Sequence, residues 1–258
     1  MSAKTVRTAV SLGLLAGLWW GCGNLIPPEL KYVVHMKALL PEGRGDFTID
    51  LEDSAQVFSK EGLVVRMRPM TDEELNRRFP PLFDGRHVNP YTHDKKDPQK
   101  GYVPPRFALF EVTVVNNTYA KVEFDPANAV MTADTGEAFR YYDPGREGAV
   151  PEGCNSFTKY YKTELGISGF EKELALERMG VVYKSIYHRN RPVFRGEQRT
   201  GMLVFDPLAS DSKEVLLRVN RFVLSFDASG NPESTVDIDF RFKVDQGAVK
   251  AGGPKPRS

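Results

Sequence analysis

The side chains in this 258-residue chain with the most chemistry open to them are its two cysteines and four histidines. Cys154, in the loop from Pro151 to Ser156, becomes a nucleophile only if a neighbouring base lowers its thiol pKa. No histidine lies near it in sequence, so a fold would have to bring up His188; otherwise it is a spectator. His87 and His93 with Asp94 share a proline-rich loop, and imidazoles and carboxylates bind metals. Their spacing matches no standard ligand pattern, so the two histidines read as solvated loop residues and no metal or other cofactor is expected. There is no G-x-S-x-G elbow, H-E-x-x-H, P-loop or C-x-x-C. No catalytic residue is therefore expected, and a hydrolase would require a dispersed Ser, His and carboxylate set that sequence does not display.

Cys22 stands apart by its position. Residues 9–21 are uncharged and mostly apolar, follow Lys4 and Arg7, and end at Gly21, which is the order of a secretory signal. A spanning helix would need about 20 apolar residues, but Gly23, Asn24 and Pro27-Pro28 follow at once. Gly21-Cys22 resembles the end of the bacterial lipobox, with Trp19 and Trp20 where that motif usually has Leu and then Ser or Ala. The resemblance implies cleavage after Gly21 and acylation of Cys22, hence a palmitate-type anchor. Two or more acyl chains hold a protein stably at a bilayer. The competing use of Cys22 is a disulfide with Cys154, which an oxidising compartment permits. Gly23 after the cysteine is compatible with outer-membrane sorting, because the familiar inner-membrane retention signal is Asp.

Composition excludes one class of partner. Lys and Arg number 35 against 34 acidic residues, and removing Lys4 and Arg7 with residues 1–21 leaves 33 against 34, a net charge of −1. Nucleic-acid binders cluster basic charge, so none is expected as a partner. With 41% hydrophobic and 27% charged residues the mature chain reads as one folded domain.

The organisation expected is a tether over 22–45, a domain over 46–245 and a disordered tail over 246–258. Within 22–45, the apolar run 32–40 fits a strand or a short helix equally well. Alternation predicts strands over 46–51 and 62–68. Thr71 and Glu74 form a capping box, predicting a short helix to Phe79 that Pro80-Pro81 ends. Residues 80–106 hold six prolines, a loop long enough to be functional or disordered. Residues 107–116 read as a central strand and 129–142 as a hairpin around Asp134-Thr135-Gly136. One helix is predicted over about 168–187, capped by Ser168 and Glu171, and lying on an open end or edge of the sheets. The aromatics Tyr160, Tyr161 and Tyr187 of the wider segment 157–187 offer the alternative of a partner surface. Strands follow over 200–205, 214–226 with a bulge near Asn220-Arg221, and 235–244, whose Asp237, Asp239, Arg241 and Lys243 face water.

Many short strands with turns between them and one inserted helix predict a mainly β fold, an antiparallel sandwich. Residues 107–116, Val122 to Pro126, the turn Thr135-Gly136-Glu137 and the strand from Gly201 to Phe205 resemble the immunoglobulin-like domains of bacterial cell-surface lipoproteins. The resemblance implies the fold and brings no catalytic residues. The expected function is a lipid-anchored envelope protein, at the outer membrane, that binds or scaffolds another protein without catalysis. The alternative is a glycan or small-ligand binder using Tyr91, Tyr102, Tyr141 and Tyr142 as stacking platforms.

Overall fold

The computed structural model describes residues 29–251 apart from 42, 44, 146–148 and 165–168. In chain order, the elements begin with strands β1 (Leu30–Leu39), β2 (Phe47–Asp50), β3 (Ala55–Lys60) and β4 (Leu63–Met70), then helix α1 (Asp72–Arg78). After the long loop come β5 (Ala108–Asn116), β6 (Lys121–Val122), β7 (Ala129–Ala133), β8 (Ala138–Arg140), β9 (Tyr142–Asp143) and β10 (Asn155–Ser156). Helices α2 (Phe157–Glu164) and α3 (Gly169–Ser185) follow, then β11 (Val193–Phe194), β12 (Glu197–Phe205), β13 (Glu214–Phe226) and β14 (Pro232–Lys250).

Ten of the strands form two five-stranded antiparallel sheets, ordered β1-β14-β13-β7-β8 and β12-β5-β4-β3-β2, while β9 with β10 and β6 with β11 form short pairs. Phe110 and Val112 on β5 and Phe240 and Phe242 on β14 are fully buried, because alternation turns each to the inner face. The sheets meet ring to ring: Phe110 lies 5.2 Å from Phe242, and Phe47 lies 6.0 Å from Phe240. Truncating one such phenylalanine to alanine costs about 3–5 kcal/mol.

Several expectations are met in detail. The phase slip in β13 is a bulge: the register with β14 breaks between Val219 and Phe222, Arg221 sits at φ 53°, and its amide bonds Asp237 Oδ1 at 2.8 Å. The Thr71 hydroxyl accepts from the Glu74 amide while Glu74 accepts from the Thr71 amide, so the capping box opens α1. The hairpin is β7 and β8.

Others change. The ambiguous run 32–40 is the greater part of β1, so the stretch expected as a tether contains the edge strand of the first sheet. Tyr32, Val34, Met36 and Ala38 are half-buried there and alternate with exposed Lys31, His35 and Lys37. β14 in turn continues past Asp245 to Lys250, because Gln246–Lys250 pair with Val34–Leu30; the chain end is ordered five residues further than alternation alone indicates. The helical insertion is two helices, α2 and α3, and the predicted cap at Ser168 lies outside the described residues. Asp239 is not a water-facing carboxylate: it is buried beneath Arg218, which grips it through two bonds of 2.7 and 3.0 Å.

Gln56, on β3 in the second sheet, is fully buried. Its amide donates to Leu39 O at 2.9 Å and its carbonyl accepts from Arg241 N at 2.6 Å. Leu39 and Arg241 are register partners on β1 and β14. A side chain from the opposite sheet thus completes the ladder at the far end of β1 and satisfies two partly buried backbone groups.

Candidate functional site

Cys22 and Gly21, the expected lipidation and cleavage residues, lie outside the described residues. Cys154 is a free, half-buried thiol whose Sγ lies 3.8 Å from Ala127 O. Burial, with Asp143 and Asp125 nearby, pushes its pKa up, so it is protonated at neutral pH and a poor nucleophile.

The 80–106 loop is pinned by long-range bonds. Arg178 on α3 donates to His87 O from Nε and Nη2 at 3.2 and 2.8 Å. Arg106 and Tyr161 both donate to Pro90 O, at 3.3 and 2.6 Å. Arg106 also donates to His93 Nδ1 at 3.1 Å, and burial together with this guanidinium pulls the His93 pKa down to about 4. The same causes lower His87, with Asp94 opposing them. Neutral imidazoles beside two guanidinium groups form no cation site, and no three His, Cys, Asp or Glu side chains gather for a metal among the described residues. The Thr92 hydroxyl lies 3.5 Å from His87 Nε2 but bonds Asn76 Oδ1 at 2.7 Å, so it is held as a structural donor.

The tyrosines proposed as stacking platforms are mostly core. Tyr91 and Tyr141 are fully buried and Tyr142 is 7% exposed, as are Tyr161 at 4% and Tyr187 at 1%. Phe107, Tyr142 and Phe157 pack with centroids 5.1 to 5.6 Å apart, which seats α2 against the sheets. The exception is Tyr102, stacked on Tyr32 of β1 at 5.0 Å.

That pair marks one end of a crevice running beside β1. At this end it opens to about 560 Å³ between Leu30, Lys31 and Tyr32 and the helix residues Asp72, Asn76 and Arg77. Its middle narrows to about 80 Å³ over an apolar floor that includes Met36, Met70, Leu109 and Leu208. It widens to about 320 Å³ where Met36 faces Glu52, Asp53 and Ser54. The wall opposite β1 is α1, and the sequence explains why so short a helix stays in place. Leu75 is fully buried beneath it, the capping box closes its first turn, and Glu74 accepts from Arg68 at 2.8 Å. Arg68 and Arg78 both bond Glu111 of β5, at 3.2 and 2.6 Å. Asp72 lines the crevice, and burial pushes its carboxyl up to about 6 against the pull of Lys31 and Arg106.

The backbone of β1 completes the site. Ala251 N donates to Glu29 O at 2.7 Å, and the β1–β14 register runs without a shift. Antiparallel pairs alternate, so Lys31, Val33, His35 and Lys37 bond β14, whereas Leu30, Tyr32, Val34, Met36 and Ala38 turn their N–H and C=O groups outward. No backbone group among the described residues meets these five. Sequence reasoning missed this edge because it depends on β1 pairing with residues more than 200 positions away. No protein-family model, no curated protein and no solved structure matches the chain.

Proposed function

We propose that the protein is a non-enzymatic bacterial envelope lipoprotein, held at the outer membrane through acylated Cys22, that binds or scaffolds another protein through an immunoglobulin-like sandwich. One observation carries this reading: β1, the first element among the described residues, leaves a strand edge that no other described strand pairs with. Glu29 is seven positions along the chain from Cys22, a reach of at most roughly 25 Å. An anchor at Cys22 therefore keeps the edge and its crevice close to the membrane surface, where a neighbouring envelope protein would meet them. The two antiparallel sheets and the protonated, shielded Cys154 agree with a recognition role.

Expression in a bacterial host with labelled palmitate, followed by mass spectrometry of the mature amino terminus, tests the anchor. The expected product begins at an acylated Cys22 and fractionates with outer membranes, and Cys22→Ala abolishes both label and membrane association. A native product that starts at Met1 or Ser2, or carries no acyl group, overturns the reading.

A further inference from the structure

The function proposed above leaves the partner unspecified, and the inference here rests on it while naming the partner's chemistry. We propose that the open edge of β1 receives an extended segment of another protein, added as a sixth strand, whose crevice-facing side chains run basic, small apolar, basic at alternate positions.

Main-chain complementarity comes first. Outward pairs of donor and acceptor at alternate residues from Leu30 to Ala38 template an added strand. Long open edges are normally shortened, bent, interrupted by proline or covered. The other edges here conform: β2 has four residues, β8 has three, and the β12 edge is met by Ile186 and Tyr187, with Tyr187 N donating to Met202 O at 3.0 Å. β1 has ten residues, no proline and no bulge. Shape then sets the positions. Side chains directly opposite one another share a face, so a residue opposite Tyr32 projects into the mouth of about 560 Å³, one opposite Val34 into the middle of about 80 Å³, and one opposite Met36 into the far end of about 320 Å³. The two ends take long side chains and the middle takes a small one. Leu30 and Tyr32 at the mouth, and Met36 and Met70 at the far end, offer apolar surface to the aliphatic stem of a lysine or arginine whose head reaches the rim.

Charge sets the sign at those two ends. Six carboxylates line the crevice, Glu29, Glu52, Asp53, Asp72, Glu73 and Glu74, against the cations Lys31, Arg77 and Lys96. Glu29 is taken by Lys96 at 2.6 Å, Glu74 by Arg68 at 2.8 Å and Asp53 by Arg66. Glu73 is held only by Lys31 at 3.6 Å, with both more than half exposed, so a better-placed cation displaces Lys31 readily. Asp72 at the mouth and Glu52 at the far end make no ion pair among the described residues, and Arg77 pairs with neither. A cation opposite Tyr32 therefore meets Asp72 and Glu73, and one opposite Met36 meets Glu52 and Glu73. The outer face of β1 selects no charge, because His35 is opposite Asp245, and Lys37 is opposite Lys243, which is in turn opposite Glu214. An antiparallel second copy fits poorly: its own crevice face carries Tyr32, Val34 and Met36 and brings no cation to the two ends.

The probe is a fluorescent nonapeptide, Ser-Thr-Lys-Thr-Val-Thr-Lys-Thr-Ser, titrated into the full-length protein in nonionic detergent micelles. Its lysines and valine share one face, and its palindromic order serves either strand direction. One control replaces both lysines by glutamate, and a second moves one lysine by a single position, to the opposite face. Hydrogen exchange maps the contact. The expected result is saturable binding of the lysine peptide, at least tenfold tighter than either control, with new protection at Tyr32, Val34 and Met36 and none at β12. Val34→Pro, which removes an outward N–H, should weaken binding at least tenfold. Glu52→Lys with Glu73→Lys, a change of exposed side chains that leaves the core untouched, should invert the preference toward the glutamate peptide. The proposal is overturned by absent binding at millimolar peptide, by protection elsewhere, by equal binding of the lysine and glutamate peptides, by charge reversal without effect, or by β1 protection that appears on concentrating the protein alone, which would assign the edge to a second copy. Mass spectrometry of the same preparation separates the two claims. An unacylated chain that binds the peptide removes the anchor and keeps the edge, whereas an acylated chain that does not bind removes the edge alone.

Discussion

The two long edge strands, β12 and β1, are of nearly equal length and belong to opposite sheets, yet they are finished in different ways. At β12 the chain leaving α3 lies directly on the strand. A Cβ at Gly201 would fall 2.5 Å from Tyr187 Cα and 2.6 Å from Tyr187 N, so only glycine allows the approach. Tyr187 is then buried against Phe124 at 5.0 Å. At β1 the short helix α1 stands off and leaves a crevice instead of a seal. Covering an edge thus takes backbone contact and a residue without a side chain, whereas a helix held at a distance by its own salt bridges walls the edge and leaves it reachable.

The largest effect that would break this contrast is at the covered edge. Gly201→Val should push Tyr187 off β12 and destabilise the fold by about 3 kcal/mol in urea denaturation, with a greater tendency to aggregate as the edge opens. Next comes the inner end of β1. Gln56→Leu keeps the volume but strands Leu39 O and Arg241 N, at a cost of about 2 kcal/mol, and hydrogen exchange at Arg241 should accelerate. Thr71→Ala should cost about 1 kcal/mol by removing the cap of α1, measurable in the same denaturation series.

Two titrating groups beside the crevice sharpen the contrast further, and they act in opposite senses. Asp72, raised from an ordinary 3.8 to about 6, binds a proton more tightly when folded, so its contribution falls as pH rises from about 4 to about 6. His93, lowered from 6.5 to about 4, sheds its proton on folding, so its contribution grows as pH rises from about 4 to 6.5. Denaturation at several pH values across this window should show the stability of Asp72→Asn rising more steeply with pH than the parent's and that of His93→Gln rising less steeply. The smallest effect should come from Val34→Pro: its N–H has no partner among the described residues, so stability should change by less than about 1 kcal/mol even though the edge is spoiled as a template.

Local signals were legible in the sequence and long-range ones were not. The capping box at Thr71 and the phase slip at Asn220-Arg221 are written within a few residues, and both stand in the structure. The alternation of Val236 to Val244 placed the inner face of β14 correctly, but it could not show that Arg218 reaches across to bury Asp239. β3 escaped notice because its buried Gln56 interrupts the apolar pattern, and the reason for that glutamine lies on β1 and β14. β1 itself was ambiguous because Val33 and Val34 are both apolar, so neither period prevails until β14 lies alongside. Of the tyrosines taken as surface platforms, Tyr91 and Tyr142 are buried because Phe157 packs on both and Phe107 on Tyr142, a convergence that composition cannot reveal. Of the candidate site, α1 was readable and its juxtaposition with β1 was not.

The Gln56 amide gives β1 a mechanical polarity. Its Leu39 end is riveted to the facing sheet, while its Leu30 end, nearest Cys22, is held by the ladder and by exposed side-chain contacts such as Lys31 with Glu73 and Lys96 with Glu29. A pull transmitted from residue 22 therefore opens the strand bond by bond from the near end and stops at the rivet, so the molecule yields under load by peeling a ribbon before its interior is breached.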